Sequence, residues 1–203
     1  MKILIASRNA HKIQEIREIF DLPGVEWVST AEFPDLHDVE EDGDTFEANA
    51  IKKATELARA TGLWALADDS GLEVAALGNA PGVFSARYAG EPCSHANNNA
   101  KLLRELEGKA DRSARFRCVA ALSDPSGRAE TVSGSCPGNI LSSLRGAKGF
   151  GYDPLFVPDG HEKTFAEMGN EQKNTLSHRG RALALAKEKW GALIASNAPG
   201  FPE

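Results

Sequence analysis

Two adjacent carboxylates, Asp68 and Asp69, follow a short apolar run at residues 64–67 and precede Ser70-Gly71. An apolar run that ends on a tight acidic turn reads as a buried strand delivering side chains at its exposed end. Neighbouring carboxylates repel unless a cation or a proton lies between them. A magnesium site or a general base uses that arrangement. The same residues also suit an Asp-Gly-type turn with solvated acids, and the stretch alone leaves both readings open.

Cationic and polar groups that could serve such a centre lie in three other places. Ser7, Arg8, Asn9, Ala10, His11 and Lys12 follow a β-type run at residues 2–6 and lead into Ile13, Ile16, Ile19 and Phe20 at helical spacing. A strand feeding a helix N-terminus offers free N–H groups and the positive end of the helix dipole to an anion; the same Ser and Asn also suit helix capping. Lys52 and Lys53 fall midway along a second helical pattern, either as surface lysines or with one reaching a phosphate. Residues 146–153, GAKGFGYD, form a glycine-rich loop with two aromatics, Phe150 and Tyr152. Glycine lets backbone approach a ligand closely and an aromatic can stack on a base; a flexible connection with its aromatics in the core fits the same letters. Lys173 precedes Ser177, His178 and Arg179. A His-Arg pair in a helix's first turn opposes the dipole, so an anion or polar ligand would compensate it; a capping His and an Arg covering apolar surface are the structural counterpart.

The elements that must position these groups can be read around them. After the first strand and helix come a short strand at residues 26–29 and an acidic loop at 35–44 containing Glu40-Glu41. A helix capped by Asp44 then presents Phe46, Ala50, Ile51, Ala54, Leu57 and Ala58 on one face. A turn-rich loop follows at 78–82, then a short helix at 84–88. Ser94 starts another helix that Gly108 stops. Runs at 114–123 and 129–136 flank Asp124-Pro-Ser-Gly as a long hairpin, and a final helix begins at Ser177. Strands flanked by helices, plus a hairpin, make the chain α/β with a mixed sheet. At 203 residues one domain is expected, here over residues 1–195, with 196–203 a flexible tail.

Composition narrows the class. A formal charge of −6 argues against a sequence-independent grip on nucleic acid. Three widely spaced cysteines, without a CxxC pair, suggest neither a disulfide framework nor a zinc site and fit a reducing compartment. No run approaches the ~20 apolar residues of a membrane span, so a cytoplasmic protein without a membrane partner is expected. Neither the Walker A pattern nor G-x-G-x-x-G occurs, and the absence of G-x-S-x-G argues against a serine hydrolase.

Six segments in order, Ser7-Arg-Asn-Ala-His-Lys12, Thr45-Phe-Glu-Ala-Asn-Ala50 with Lys53-Ala54, Ala67-Asp-Asp-Ser-Gly-Leu72, Ala80-Pro-Gly-Val-Phe-Ser-Ala-Arg87, Gly149-Phe-Gly-Tyr-Asp-Pro-Leu-Phe156 and Ser177-His-Arg-Gly180, span nearly the whole chain. Together they resemble the inosine/xanthosine triphosphate pyrophosphatases, the Ham1-like house-cleaning nucleotidases. The resemblance implies an elongated, two-lobed α/β fold around a central mixed sheet with a cleft between the lobes. It also implies a homodimer and Mg²⁺-dependent conversion of dITP, ITP or XTP to the monophosphate and pyrophosphate, which removes these non-standard nucleotides from the pool. On that resemblance Asp69 is the base and a metal ligand, with Glu40 as a second ligand. Ser7, Arg8, Asn9, Ala10, His11 and Lys12 hold phosphate with Lys53. Ser70, Phe150, Gly151, Tyr152, Asp153, Lys173, His178 and Arg179 contact substrate. One position departs: Ala48-Asn49 stands where the family usually has Glu-Asn. A non-catalytic or low-activity purine nucleotide-binding protein is the alternative that this alanine raises.

Overall fold

The computed structural model describes residues 1–202. The chain starts with β1 (Lys2–Ile5), whose Ile3, Leu4 and Ile5 are all fully buried. Apolar side chains on both faces of one strand belong to a parallel strand covered on both sides. β1 pairs in parallel with β2 (Glu26–Ser29) on one edge and with β3 (Trp64–Val74) on the other. β4 (Ser113–Ser123), β5 (Ala129–Ile140) and β6 (Phe156–Pro158) complete a six-stranded sheet in the order β2-β1-β3-β4-β5-β6. β6 runs antiparallel to β5, so the sheet is mixed, as expected. β4 and β5 are sheet neighbours, and between them Asp124 closes a tight turn by accepting from Ser126 N–H and Arg128 N–H.

The helices are α1 (Ala10–Ile19), α2 (Phe46–Thr61), α3 (His95–Glu105), α4 (Asn170–Leu176) and α5 (His178–Ala195). Asn9 caps α1, its Oδ1 accepting from the N–H of His11 and of Lys12. Thr45, rather than the expected Asp44, caps α2: its extended backbone leaves Oγ1 3.1 Å from the Ala48 N–H. Gly62 ends α2 in the left-handed region, φ +69°, where a side chain would be strained. Ser94 caps α3 as read. Among the described residues no helix is long and apolar enough to cross a membrane.

The chain divides into two compact units. The first comprises Met1–Asp69, Cys118–Gly134 and Gly180–Glu203, and its core gathers Ile3, Ile5, Ile16, Phe20, Trp64 and Trp190. The second comprises Ser70–Arg117 and Ser135–Arg179, with a core of Leu72, Leu102, Phe116, Tyr152, Phe156 and Phe165. Burying the side chains of one such core stabilises its unit by roughly 1.5–3 kcal/mol for each large apolar residue, before the entropy of ordering is subtracted.

One expectation changes here, and the described part of the tail makes contacts of its own. Phe201 packs edge-on against Trp64 with ring centroids 4.9 Å apart, Trp64 Nε1 donates to the Ala198 carbonyl, and the Phe201 N–H reaches Asp124. Glu203 lies outside the described residues. The acidic pair is not in a turn at a strand's end: β3 runs through Asp68, Asp69, Ser70 and Gly71 to Val74. Leu72 and Val74, which carry the strand onward, are fully buried in the second core.

Candidate active site

Because β3 continues through both aspartates, its pleat turns their side chains apart, and they have different partners. Asp68, 2% exposed, receives Lys12 Nζ at 3.1 Å, and Cys118 Sγ lies 3.9 Å from the same Oδ2. It therefore positions a lysine of α1. Asp69, 5% exposed, accepts Asn49 Nδ2 of α2 at 2.9 Å. Asn49 also takes the Gly43 N–H on its Oδ1, so one amide ties the acidic loop to the carboxylate. One helical turn after Asn49, on the same face, Lys53 donates to the Asp68 carbonyl at 2.6 Å and to Glu41 at 3.0 Å.

Burial is the largest influence on the Asp69 carboxyl and raises its pKa. The charge of Glu41 adds to this, against the pull of Lys53, Lys12 and the Asn49 amide. Burial pulls Lys53 the other way, but Glu41, Asp68 and Asp69 outweigh it and hold its ammonium above the ordinary lysine value. A buried carboxyl raised above its usual range, beside two ammonium groups, has the character of a general base.

Of the two loop glutamates, Glu41 is the one at Lys53. Glu40 is exposed, and its charge acts weakly on Lys52, which pairs with Asp42 at 2.7 Å. The geometry thus favours Glu41 over Glu40 as a partner of Asp69. Arg8 is exposed and reaches the same loop, pairing with Asp38 at 2.8 Å and donating to the Leu36 carbonyl. Ser7 Oγ accepts the Asn9 N–H, and Ala10 and His11 open α1 on the exposed side. Ala48 is exposed, with its N–H taken by Thr45.

The second unit holds the remaining candidates. In the loop before β6, Gly149 and Gly151 have φ of +73° and +61°. A Cβ on Gly149 would lie 2.0 Å from Asp153 Oδ2, so glycine is required by the fold itself. That carboxylate accepts the Phe150 N–H at 2.9 Å and Lys173 Nζ of α4 at 2.8 Å, and both members of the ion pair are buried. The ammonium of Lys173 sits 4.7 Å from the Phe150 ring centroid and the guanidinium of Arg179 5.8 Å from it. Arg179, fully buried, donates to Ser70 Oγ at 2.9 Å. His178 stacks on Phe116 at 4.6 Å with an interplanar angle of 11°. Tyr152 is a core residue whose hydroxyl donates to the Ser85 carbonyl, which leaves Phe150 as the loop's aromatic ring outside the core.

Asn49 and Glu41 were not singled out from the sequence. Asn49 was discernible, since its four-residue spacing to Lys53 puts both on one helix face. Glu41 was not, because a loop has no periodicity to say which of two neighbours turns inward.

Known proteins resemble this chain over nearly its whole length. The model of the Ham1 family matches residues 3–189. A dITP/XTP pyrophosphatase of Desulforamulus reducens is 55% identical over 190 residues, covering 93% of this chain and 94% of that protein. One of Geobacter sulfurreducens is 53% identical over 192 residues, covering 94% and 96%. Among solved structures, the Staphylococcus aureus Ham1 protein superposes with a TM-score of 0.86 at 41% identity, over 98% of this chain and 100% of that one. With a mixed sheet and helices like those of a solved Ham1 protein, and a family match over nearly its whole length, the chain belongs to the Ham1 family.

Proposed function

We propose that the chain is a pyrophosphatase that hydrolyses dITP, ITP and XTP to the monophosphate and pyrophosphate. The observation that carries this is the Asp69 carboxyl, buried, raised in pKa and held by Asn49, with Lys12 and Lys53 beside it. The names of the relatives supply the substrate class.

In the first unit, Lys12 and Lys53 neutralise phosphate charge, and Asp68 and Glu41 orient them. Asp69 takes the proton of the attacking water at its carboxylate, with Asn49 fixing the rotamer. In the second unit, Phe150 offers a stacking face, while Lys173 and Arg179 offer donors to an oxygen at the purine six position. Adenine presents an amino donor there, which would face those donors unpaired.

The same reading includes Mg²⁺, held with the help of substrate phosphates, since among the described residues no group of three or more His, Cys, Asp or Glu is placed to hold a metal ion by itself. Asp69 and Glu41 act on each other as like charges, which a divalent cation relieves, and magnesium is commonly held by one or two carboxylates plus substrate phosphates. Bound there, it supplies polarisation of the phosphoryl oxygens and a lower pKa for water. A homodimer and a cytoplasmic setting belong to the same reading; light scattering tests the first.

The test is product analysis with ITP and Mg²⁺. Pyrophosphate with IMP is expected from the parent, and a fall of about 10²-fold or more in Asp69→Asn. Orthophosphate with IDP would replace this proposal with a different nucleotide phosphatase.

A further inference from the structure

α3 carries two adjacent asparagines in unlike settings. Asn98 uses both ends of its amide. Its Oδ1 accepts the Ala89 N–H at 2.7 Å, and its Nδ2 donates to the carbonyls of Ala86 and Ser85 at 2.8 and 3.3 Å. Asn99 is 6% exposed and donates Nδ2 to the Gly151 carbonyl at 3.0 Å, while its buried Oδ1 has no hydrogen-bond partner among the described residues. A buried acceptor left unmatched forfeits its hydration without return. For stability alone, leucine of similar size would serve this place better. The one bond Asn99 does make goes to the loop that bears Phe150.

That loop needs an external hold. Phe150 lies between two glycines with positive φ, and glycine visits that region about as readily as the ordinary one. The ring's place is therefore set by what grips its neighbours. Asp153 takes the Phe150 N–H on one side, and Asn99 takes the Gly151 carbonyl on the other. His95, one turn before Asn99 on the same helix face, brings its ring to 6.3 Å from Phe150.

We propose that Asn99 is a positioning residue for base recognition: by fixing the Gly151 carbonyl it holds the Phe150 ring in register with Lys173 and Arg179. This rests on the reading of Phe150 as the face on which the base stacks.

Steady-state kinetics with ITP and ATP, alongside melting curves, test it on the full chain. Asn99→Leu removes the donor and the unmatched acceptor together. Its Tm is expected to stay or rise, while KM for ITP rises about tenfold, kcat falls by less, and the preference for ITP over ATP narrows about tenfold. Asn99→Asp, equal in size but lacking the donor, carries the same kinetic test if the leucine variant does not fold. An unchanged KM and preference, or equal losses on both nucleotides, overturns the assignment. Phe150→Leu separates the two levels. If it leaves KM for ITP unchanged, the stacking reading fails and the Asn99 proposal with it. If it raises that KM while the Asn99 variants do not, only the Asn99 proposal fails.

Discussion

Replacing each of the neighbouring aspartates by asparagine should change stability in opposite directions. Asp68 and Lys12 form a buried ion pair at 3.1 Å, with side chains 1% and 17% exposed. At an effective dielectric constant of ~20, a pair at that separation attracts by about 5 kcal/mol. The cost of desolvating both charges offsets part of this, and Asp69 still attracts Lys12 in the variant. A net loss of about 3 kcal/mol is expected for Asp68→Asn, the lower end of the range for stripping a partner from a buried charge. With a urea m-value of about 2 kcal/mol/M, the midpoint falls by about 1.5 M. Asp69 is the reverse case. Burial holds its folded pKa above the unfolded value, so the folded protein binds this proton more tightly. Its contribution is fully present below the unfolded pKa of about 4 and is lost as pH rises through the folded pKa. Asp69→Asn removes that loss and keeps an oxygen to accept from Asn49, so its urea midpoint at neutral pH should match or exceed the parent's. Its advantage should shrink on acidification toward pH ~4. Activity reverses the order, with Asp69→Asn losing about 10²-fold or more and Asp68→Asn losing mainly in KM. Urea titrations at pH 4.5 and 7.5 decide the matter. Equal destabilisation by both variants would refute the division of labour between the two carboxylates.

Other outcomes follow from the same geometry. Glu41→Gln should raise the Mg²⁺ concentration for half-maximal rate and move the acid limb of the pH–rate profile down, because Glu41 helps raise Asp69; Glu40→Gln should leave both near the parent values. Gly149→Ala places a Cβ 2.0 Å from Asp153 Oδ2 at a φ of +73°. It should lower Tm and raise KM for ITP about tenfold as the Asp153–Lys173 pair is displaced, measured by melting curves and initial rates.

Much of the fold and site was legible because local signals agreed with the packing. The periodic helices, the Asn9 and Ser94 caps and the buried first strand each rest on side chains whose neighbours in sequence are also their context. The acidic stretch misled because Asp68-Asp69-Ser-Gly carries turn chemistry, and only long-range burial of Leu72 and Val74 holds it as strand. β6 and α4 were missed for a related reason. Three and seven residues are too few to show a period, and what fixes them is pairing with β5 and the Asp153–Lys173 contact. The glycine-rich loop suited both ligand approach and a connection with its aromatics in the core, and Gly149 is needed first by Asp153. Tyr152 and Phe150 sit two letters apart with opposite fates, one in the core and one beside two cations, and composition cannot tell them apart.

The most direct test of the account is the ratio of kcat/KM for ITP to that for ATP, with Mg²⁺ present and pyrophosphate counted as product. Unpaired donors facing an amino group cost about 1–3 kcal/mol per group, which corresponds to a preference for ITP of at least about tenfold. A parent protein that uses ATP as well as ITP, under conditions where both release pyrophosphate, would contradict it.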